Sequence, residues 1–216
     1  MNKLKLISLC TAAVMTTACA PNYQPLSVKV TQDSFIATGV IDESTPEVLR
    51  ETIKQNRSIK KLILQHVPGS VDDEANLEIA REVREAGLTT LVPADGVVAS
   101  GGTDLFLAGA VRKIEAGACL GVHSWAELRG FSEVAGRDVP KEDPVHQLYV
   151  SYYKEMDIPV SFYWFTLDAA PVEDIYFVDK QEVNKFKMSS VPLKALDQDT
   201  QSQRYQRCID RLDKEA

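Results

Sequence analysis

Apolar residues recur along this chain with two different periods. Ala75, Ile79, Val83 and Ala86 repeat at helical spacing, with Ala80 widening the stripe and Leu77 falling off it. The spacing predicts a helix over residues 72–86, ended by Gly87. Short apolar runs at 61–66, 88–92, 111–114 and 119–123 have the length of strands. Residues 27–31 and 34–41 flank Gln32 and Asp33 and predict a hairpin. A helix over 45–55 is expected, with Thr45 as cap and Pro46 at its first position. Residues 100–109 are rich in small side chains and predict a buried helix. The polar stretch 129–143 reads as a loop, 145–156 and 160–167 as helices, 174–178 as a short strand and 179–186 as a short helix. A last helix over 200–215 sets Tyr205, Cys208, Ile209 and Leu212 on one face. Strands alternating with helices are the pattern of an α/β domain with parallel crossovers.

Length and charge narrow the function. The chain has 216 residues, 44% hydrophobic and 25% charged, enough for a hydrophobic core. Its formal net charge of −7, with no basic block, argues against nucleic acid as a partner. The N-terminus differs in kind. Lys3 and Lys5 accompany a largely apolar run to Met15, and Thr16-Thr17-Ala18-Cys19 follows. This resembles the lipobox of bacterial lipoprotein signals, with Thr16 where that motif prefers Leu. The resemblance implies a signal peptide over 1–18 and a lipid, palmitate included, on Cys19. Ala20 after the Cys, rather than Asp, favours an outer-membrane anchor facing the periplasm. Plain secretory cleavage is the alternative. The run is too short for an ordinary transmembrane helix. Residues 19–26 then read as a tether and 27–216 as a single domain with a C-terminal helix. Cys10 leaves with the signal, so Cys119 and Cys208 remain. Export permits their disulfide; two separate buried thiols is the plainer reading.

Three segments carry chemistry. His66-Val67-Pro68-Gly69-Ser70 lies at a predicted strand-to-helix junction, Ala99-Ser100-Gly101-Gly102 at the next, and Gly121-Val122-His123-Ser124 at a strand end. Serine needs a base to act as a nucleophile, and histidine titrates near neutrality. A Ser at a helix start meets unpaired amides, and an acyl transfer needs two donors for its oxyanion. Gly69 and Gly101 are the candidate donors. Taken singly, a Ser in a small-residue run reads as packing, and a His at a strand end as an ordinary polar residue.

Together, the order and spacing of these segments resemble the Clp protease proteolytic subunit and exported proteins of the ClpP/crotonase superfamily. The matched residues are Pro68-Gly69-Ser70, Ala99-Ser100-Gly101-Gly102-Thr103, Ala108-Gly109 and Gly121-Val122-His123-Ser124, within a stretch of about Phe35 to Met188. Departures are Ser70 and Val67 in the Pro-Gly loop, and Val98 and Gly102 where many exported relatives carry a Cys pair. The resemblance implies a repeated β-β-α superhelix with a mostly parallel sheet. It implies a serine hydrolase, by preference a peptidase acting on a peptide or protein, with Ser100 as nucleophile and His123 as base. The triad acid is expected well after the His. Asp174 fits best, with Asp168, Glu173 and Asp179 as competitors. It also implies self-association through helices after the His strand, and no cofactor. A non-catalytic binding module on the same fold is the second reading, and a crotonase-like acyl-CoA enzyme the third, disfavoured because CoA is scarce outside the cytoplasm.

Other residues are assigned less. His66 reads as core packing rather than as support for the site. His146, near Glu142 and Asp143, lacks a defined ligand set, so no metal is assigned. Asp104 lies one helical turn after Ser100 and is a candidate to line the same pocket; Trp125 is a candidate to shape a cleft. The aromatic stretch from Tyr149 to Phe165 reads as core packing, with a subunit interface or peptide groove as the sharper alternative.

Overall fold

The apolar runs assemble into one eight-stranded sheet. The computed structural model describes residues 23–194 and 198–214. The expected signal peptide and Cys19 therefore lie outside the described residues. The hairpin forms as expected from β1 (Ser27–Val30) and β2 (Phe35–Thr38). Helix α1 (Thr45–Gln55) follows, then β3 (Lys61–Val67), α2 (Asp73–Glu85), β4 (Thr89–Val92) and β5 (Val97–Ala99). Next come α3 (Gly101–Leu107), β6 (Val111–Ile114) and β7 (Cys119–Val122). Strand β3 is a fork. Its first half pairs in parallel with β4, and β4 with β6; its last residues, His66 and Val67, pair with β5, and β5 with β7. One branch of the sheet thus delivers β5 and β7, the strands that precede Ser100 and His123.

The rest of the chain closes the second branch. A small hairpin, β8 (Ala126–Arg129) with β9 (Ser132–Ala135), leads to α4 (Val145–Glu155) and α5 (Val160–Ala169). Strand β10 (Tyr176–Phe177) pairs antiparallel with β7, and α6 (Lys180–Lys185) and α7 (Gln201–Leu212) complete the order.

Several expectations change. The stretch 129–143 is not all loop: Ser132–Ala135 returns antiparallel on Ala126–Arg129, and a 3-10 turn spans Gly136–Asp138. Its polar composition fits because most of the hairpin is solvated. Residues 23–26 are not tether. Leu26 is buried, and its N–H donates to the Val40 carbonyl at 2.7 Å. Thr45 does not cap α1; its Oγ1 accepts from the Asp42 N–H at 3.0 Å, which closes the preceding turn. On α2 the buried stripe includes Leu77 and Asn76, because α1 and α3 embrace the helix from two sides.

Cys119 and Cys208 form a disulfide. The reading as separate thiols is corrected. Cys208 stands on the buried face of α7, whose capping box of Thr200 and Gln203 fixes where the helix starts. That face meets β7 next to Cys119, and the bond ties the last helix to the strand that carries His123.

Candidate active site

Ser100 joins β5 to α3 with no residue to spare. It makes the turn with φ 51° and ψ −128°, a left-handed conformation that non-glycine residues avoid. Its N–H donates to the Gly121 carbonyl at 3.1 Å, and Thr103 Oγ1 donates to the same oxygen at 2.8 Å. The turn is thereby clamped to β7. The glycines that follow are there for space. A Cβ on Gly101 would lie 2.3 Å from Ser70 Oγ, and one on Gly102 would lie 2.1 Å from the Val67 carbonyl oxygen. So α3 starts directly against the Pro-Gly loop. Gly69 stands on the other side of the serine, its Cβ position 3.9 Å from Ser100 Oγ.

His123 follows the last residue of β7. Ser100, Gly101 and His123 line one small cavity together with Asp73, Thr103 and Asp104. Trp125, Tyr149 and Tyr163 line it as well. Tyr149 stacks on Tyr163 with centroids 5.4 Å apart, and Trp125 stacks on Tyr149 at 5.8 Å. Trp125 Nε1 donates to Tyr163 Oη at 3.1 Å. The cavity holds about 40 Å³, room for a few waters at most. No hydrogen bond joins Ser100 to His123 among the described residues. His123 Nδ1 is buried with no hydrogen-bond partner among the described residues.

The titrating groups are set by burial first. Desolvation lowers the His123 pKa, against the raising effects of the Ser124 backbone, the Asp73 charge and the Val172 backbone. The imidazole is therefore neutral at pH 7 and able to take a proton. Burial pushes the Asp104 carboxyl up to about 7; the hydrogen bond from Tyr153 opposes this and the charge of Asp73 adds to it. Tyr153 Oη donates to Asp104 Oδ1 at 2.6 Å, and Tyr149 Oη to Asp73 Oδ2 at 2.5 Å. Ser70 Oγ donates to the other oxygen of Asp73 at 2.5 Å.

Asp174 is not part of this cluster. It is exposed on the approach to β10, and its Oδ1 accepts from its neighbour's amide, Ile175 N–H, at 2.7 Å and from Tyr205 Oη at 2.8 Å. The expected third member of a triad is thus turned toward α7, although Val172, two residues earlier, reaches His123 through its backbone. The carboxylate whose charge acts on His123 is Asp73, which the sequence reading did not single out. It sits in the first turn of α2, where an acid reads as a complement to the helix dipole. The tyrosines that line the cavity belong to the stretch that reads as core packing first and as a peptide groove second. Asp104 and Trp125 do line the cavity.

The remaining histidines are occupied elsewhere. His146 is fully buried, with Nδ1 2.5 Å from Tyr163 Oη and Nε2 3.3 Å from the Val139 carbonyl. His66 is buried and faces the Leu212 carbonyl at 3.2 Å. Among the described residues no group of three His, Cys, Asp or Glu is placed to hold a metal.

Solved structures share this arrangement of elements. A serine-to-alanine mutant of the 1510-N membrane-bound stomatin-specific protease superposes with a TM-score of 0.50 at 13% identity, over 79% of this chain and 83% of that one. The fold is ClpP/crotonase-like. Less similar are a lysine-to-alanine mutant of the same protease with a substrate peptide, TM-score 0.46, 15% identity and 74% of each chain. An enoyl-CoA hydratase from Polaromonas sp. JS666 gives TM-score 0.44 at 10% identity, over 88% of this chain and 77% of that one. No protein-family profile matches the chain. No curated protein matches it either.

Proposed function

We propose that this protein is an exported serine hydrolase, by preference a peptidase, held at the cell envelope by lipid on Cys19 and facing the periplasm. The observation that carries the reading is the strained turn at Ser100. A non-glycine residue in that conformation costs about 1–3 kcal/mol, and such strain persists where position matters more than stability. The turn opens onto a cavity shared with a histidine whose basicity burial has lowered. The fold neighbour's activity as a protease favours a peptide over other acyl substrates.

In this reading Ser100 Oγ attacks the substrate carbonyl and passes its proton to His123. The oxyanion is held by the amides of Gly69 and Gly101, which flank the serine. His123 returns the proton to the leaving amine, and water then releases the acyl group by the same route in reverse. Asp73 supplies the carboxylate field that stabilises the imidazolium, in the role expected of Asp174. A cavity of about 40 Å³ cannot admit a peptide side chain, so in this reading its aromatic lining of Trp125, Tyr149 and Tyr163 has to move for turnover.

Hydrolysis of small esters and of a peptide library by the mature protein tests the proposal. Ser100→Ala and His123→Ala should each lower turnover by about a thousandfold or more, with unchanged thermal unfolding. Turnover that survives Ser100→Ala removes Ser100 from the chemistry. The narrow cavity and the missing Ser100–His123 hydrogen bond also suit a second reading, a binding module without turnover. It is distinguished by a ligand that binds wild type and Ser100→Ala alike while neither hydrolyses anything.

A further inference from the structure

The other branch of the sheet carries a second feature, remote from Ser100. Along β4 and β6, Thr90, Val92, Arg112 and Ile114 point into the core. Side chains alternate along a strand, so Thr89, Leu91, Val111 and Lys113 stand on the opposite face. Parallel sheets are as a rule covered on both faces. Here, among the described residues, the outer face is bordered by residues 189–194 and by Asp33, Lys60 and Lys61, around a trough of about 840 Å³ whose lining includes Leu91, Val111, Val191 and Leu193. Val111 is 41% exposed and Val191 70%. The trough shares no lining residue with the cavity at Ser100.

Charge and hydrogen bonding select the occupant. Lys60, Lys113 and Lys194 stand at the trough with no carboxylate partner among the described residues, on a chain whose net charge is −7. The acids there are engaged: Asp33 with Lys61 at 2.8 Å, and Glu115 with the Ala94 N–H at 3.0 Å. The trough therefore favours an anion. A peptide adding to the sheet would need the outer edge of β6. That edge is taken at its centre, where the Arg112 N–H donates to Ser190 Oγ at 2.8 Å and the Ser190 N–H donates to the Arg112 carbonyl at 3.0 Å. A peptide laid over Leu91 and Val111 would leave its amides unpaired. A hydrocarbon chain has none to pair, and a trough of this size, with apolar side chains on its floor and lysines in its lining, suits a small amphiphile.

We infer that the trough binds a long-chain carboxylate, a free fatty acid, with its chain along Leu91, Val111 and Leu193 and its head at Lys113 and Lys194. The ligand's single charge meets ammonium groups, and its chain packs on the apolar side chains of the trough.

Calorimetric titration of the mature protein with dodecanoate, below its micellar concentration, tests this. Dodecanol serves as the uncharged control, and an acidic peptide of similar length as the competing class. Saturable binding of dodecanoate is expected, weakened about tenfold or more by Val111→Glu and by Lys113→Glu, both exposed positions, and unchanged by Ser100→Ala. Unchanged thermal unfolding of the two trough variants shows that they fold. No saturable binding, binding indifferent to both substitutions, equal affinity for dodecanol, or tighter binding of the peptide would each overturn the inference. Because Ser100→Ala is predicted neutral here, failure of the hydrolase reading and failure of this one give different results.

Discussion

Ser100 holds its conformation because its neighbours leave it no other, and this makes the cost measurable. Glycine adopts φ near 50° freely, so Ser100→Gly should raise stability by about 1–2 kcal/mol while removing the nucleophile. Urea unfolding of the two proteins checks it, and an unchanged or lower midpoint argues that the turn is unstrained. Asp104 gives a second measurement. Its folded pKa of about 7 lies above the ordinary 3.8, so the native state keeps a proton that the unfolded chain has lost. The stability this contributes is fully present at low pH and declines as pH rises from about 4 through 7. Asp104→Asn keeps an acceptor for Tyr153 without the charge. The variant should gain on wild type between pH 5 and 8, and a pH-independent difference between them would contradict the burial of this carboxyl. At this scale the sequence was uneven. Ser100 and His123 were legible because motif order places them at strand ends, and both reach one cavity. The carboxylate beside them was not, because a side chain's direction depends on what packs beside it: Tyr205 of α7 draws Asp174 outward, while Ser70 and Tyr149 hold Asp73 by the cavity.

Helix α7 shows how one element governs another. It packs on β5 and β10, holds Asp174 through Tyr205, and is bonded to β7 through Cys208. Arg207 Nη1 lies 3.2 Å from Cys119 Sγ and 2.6 Å from the Gly117 carbonyl, adding polar ties to the covalent one. The bond closes a loop with a sequence separation of 89, so its loss should destabilise the fold by about 2–4 kcal/mol. Cys208→Ser, or reduction, followed by denaturant unfolding checks this; no change would mean that α7 docks without it. The helix itself was readable from its one-sided pattern. Its covalent partner was not, because two cysteines in sequence carry no information on whether their Cα atoms approach within bonding range. The hairpin β8–β9 was missed for a related reason. A two-stranded ribbon with both faces largely solvated has no apolar alternation to betray it.

For the whole molecule, the forked sheet keeps two features apart. The β5–β7 branch presents the catalytic candidates, and the β4–β6 branch presents the trough. Strand order around that fork could not be read from periodicity, since β3 serves both branches with a single apolar run. Among the described residues no helix is long and apolar enough to cross a membrane. The attachment we propose is the lipid at Cys19. Cys19→Ser should shift the protein from the membrane fraction to the soluble periplasmic fraction, read by fractionation and detergent partitioning. Membrane association that survives the substitution would refute the anchor.

In the proposed hydrolase, Ser100 is an activated nucleophile. Labelling of the purified mature protein with a small fluorophosphonate, beside Ser100→Ala, addresses it directly. Wild type should be labelled at Ser100, Ser100→Ala should not, and the labelling rate should rise with pH through a midpoint below 6.5 as His123 loses its proton. A folded wild-type protein that takes no label, or equal labelling of the Ser100→Ala variant, would contradict the claim.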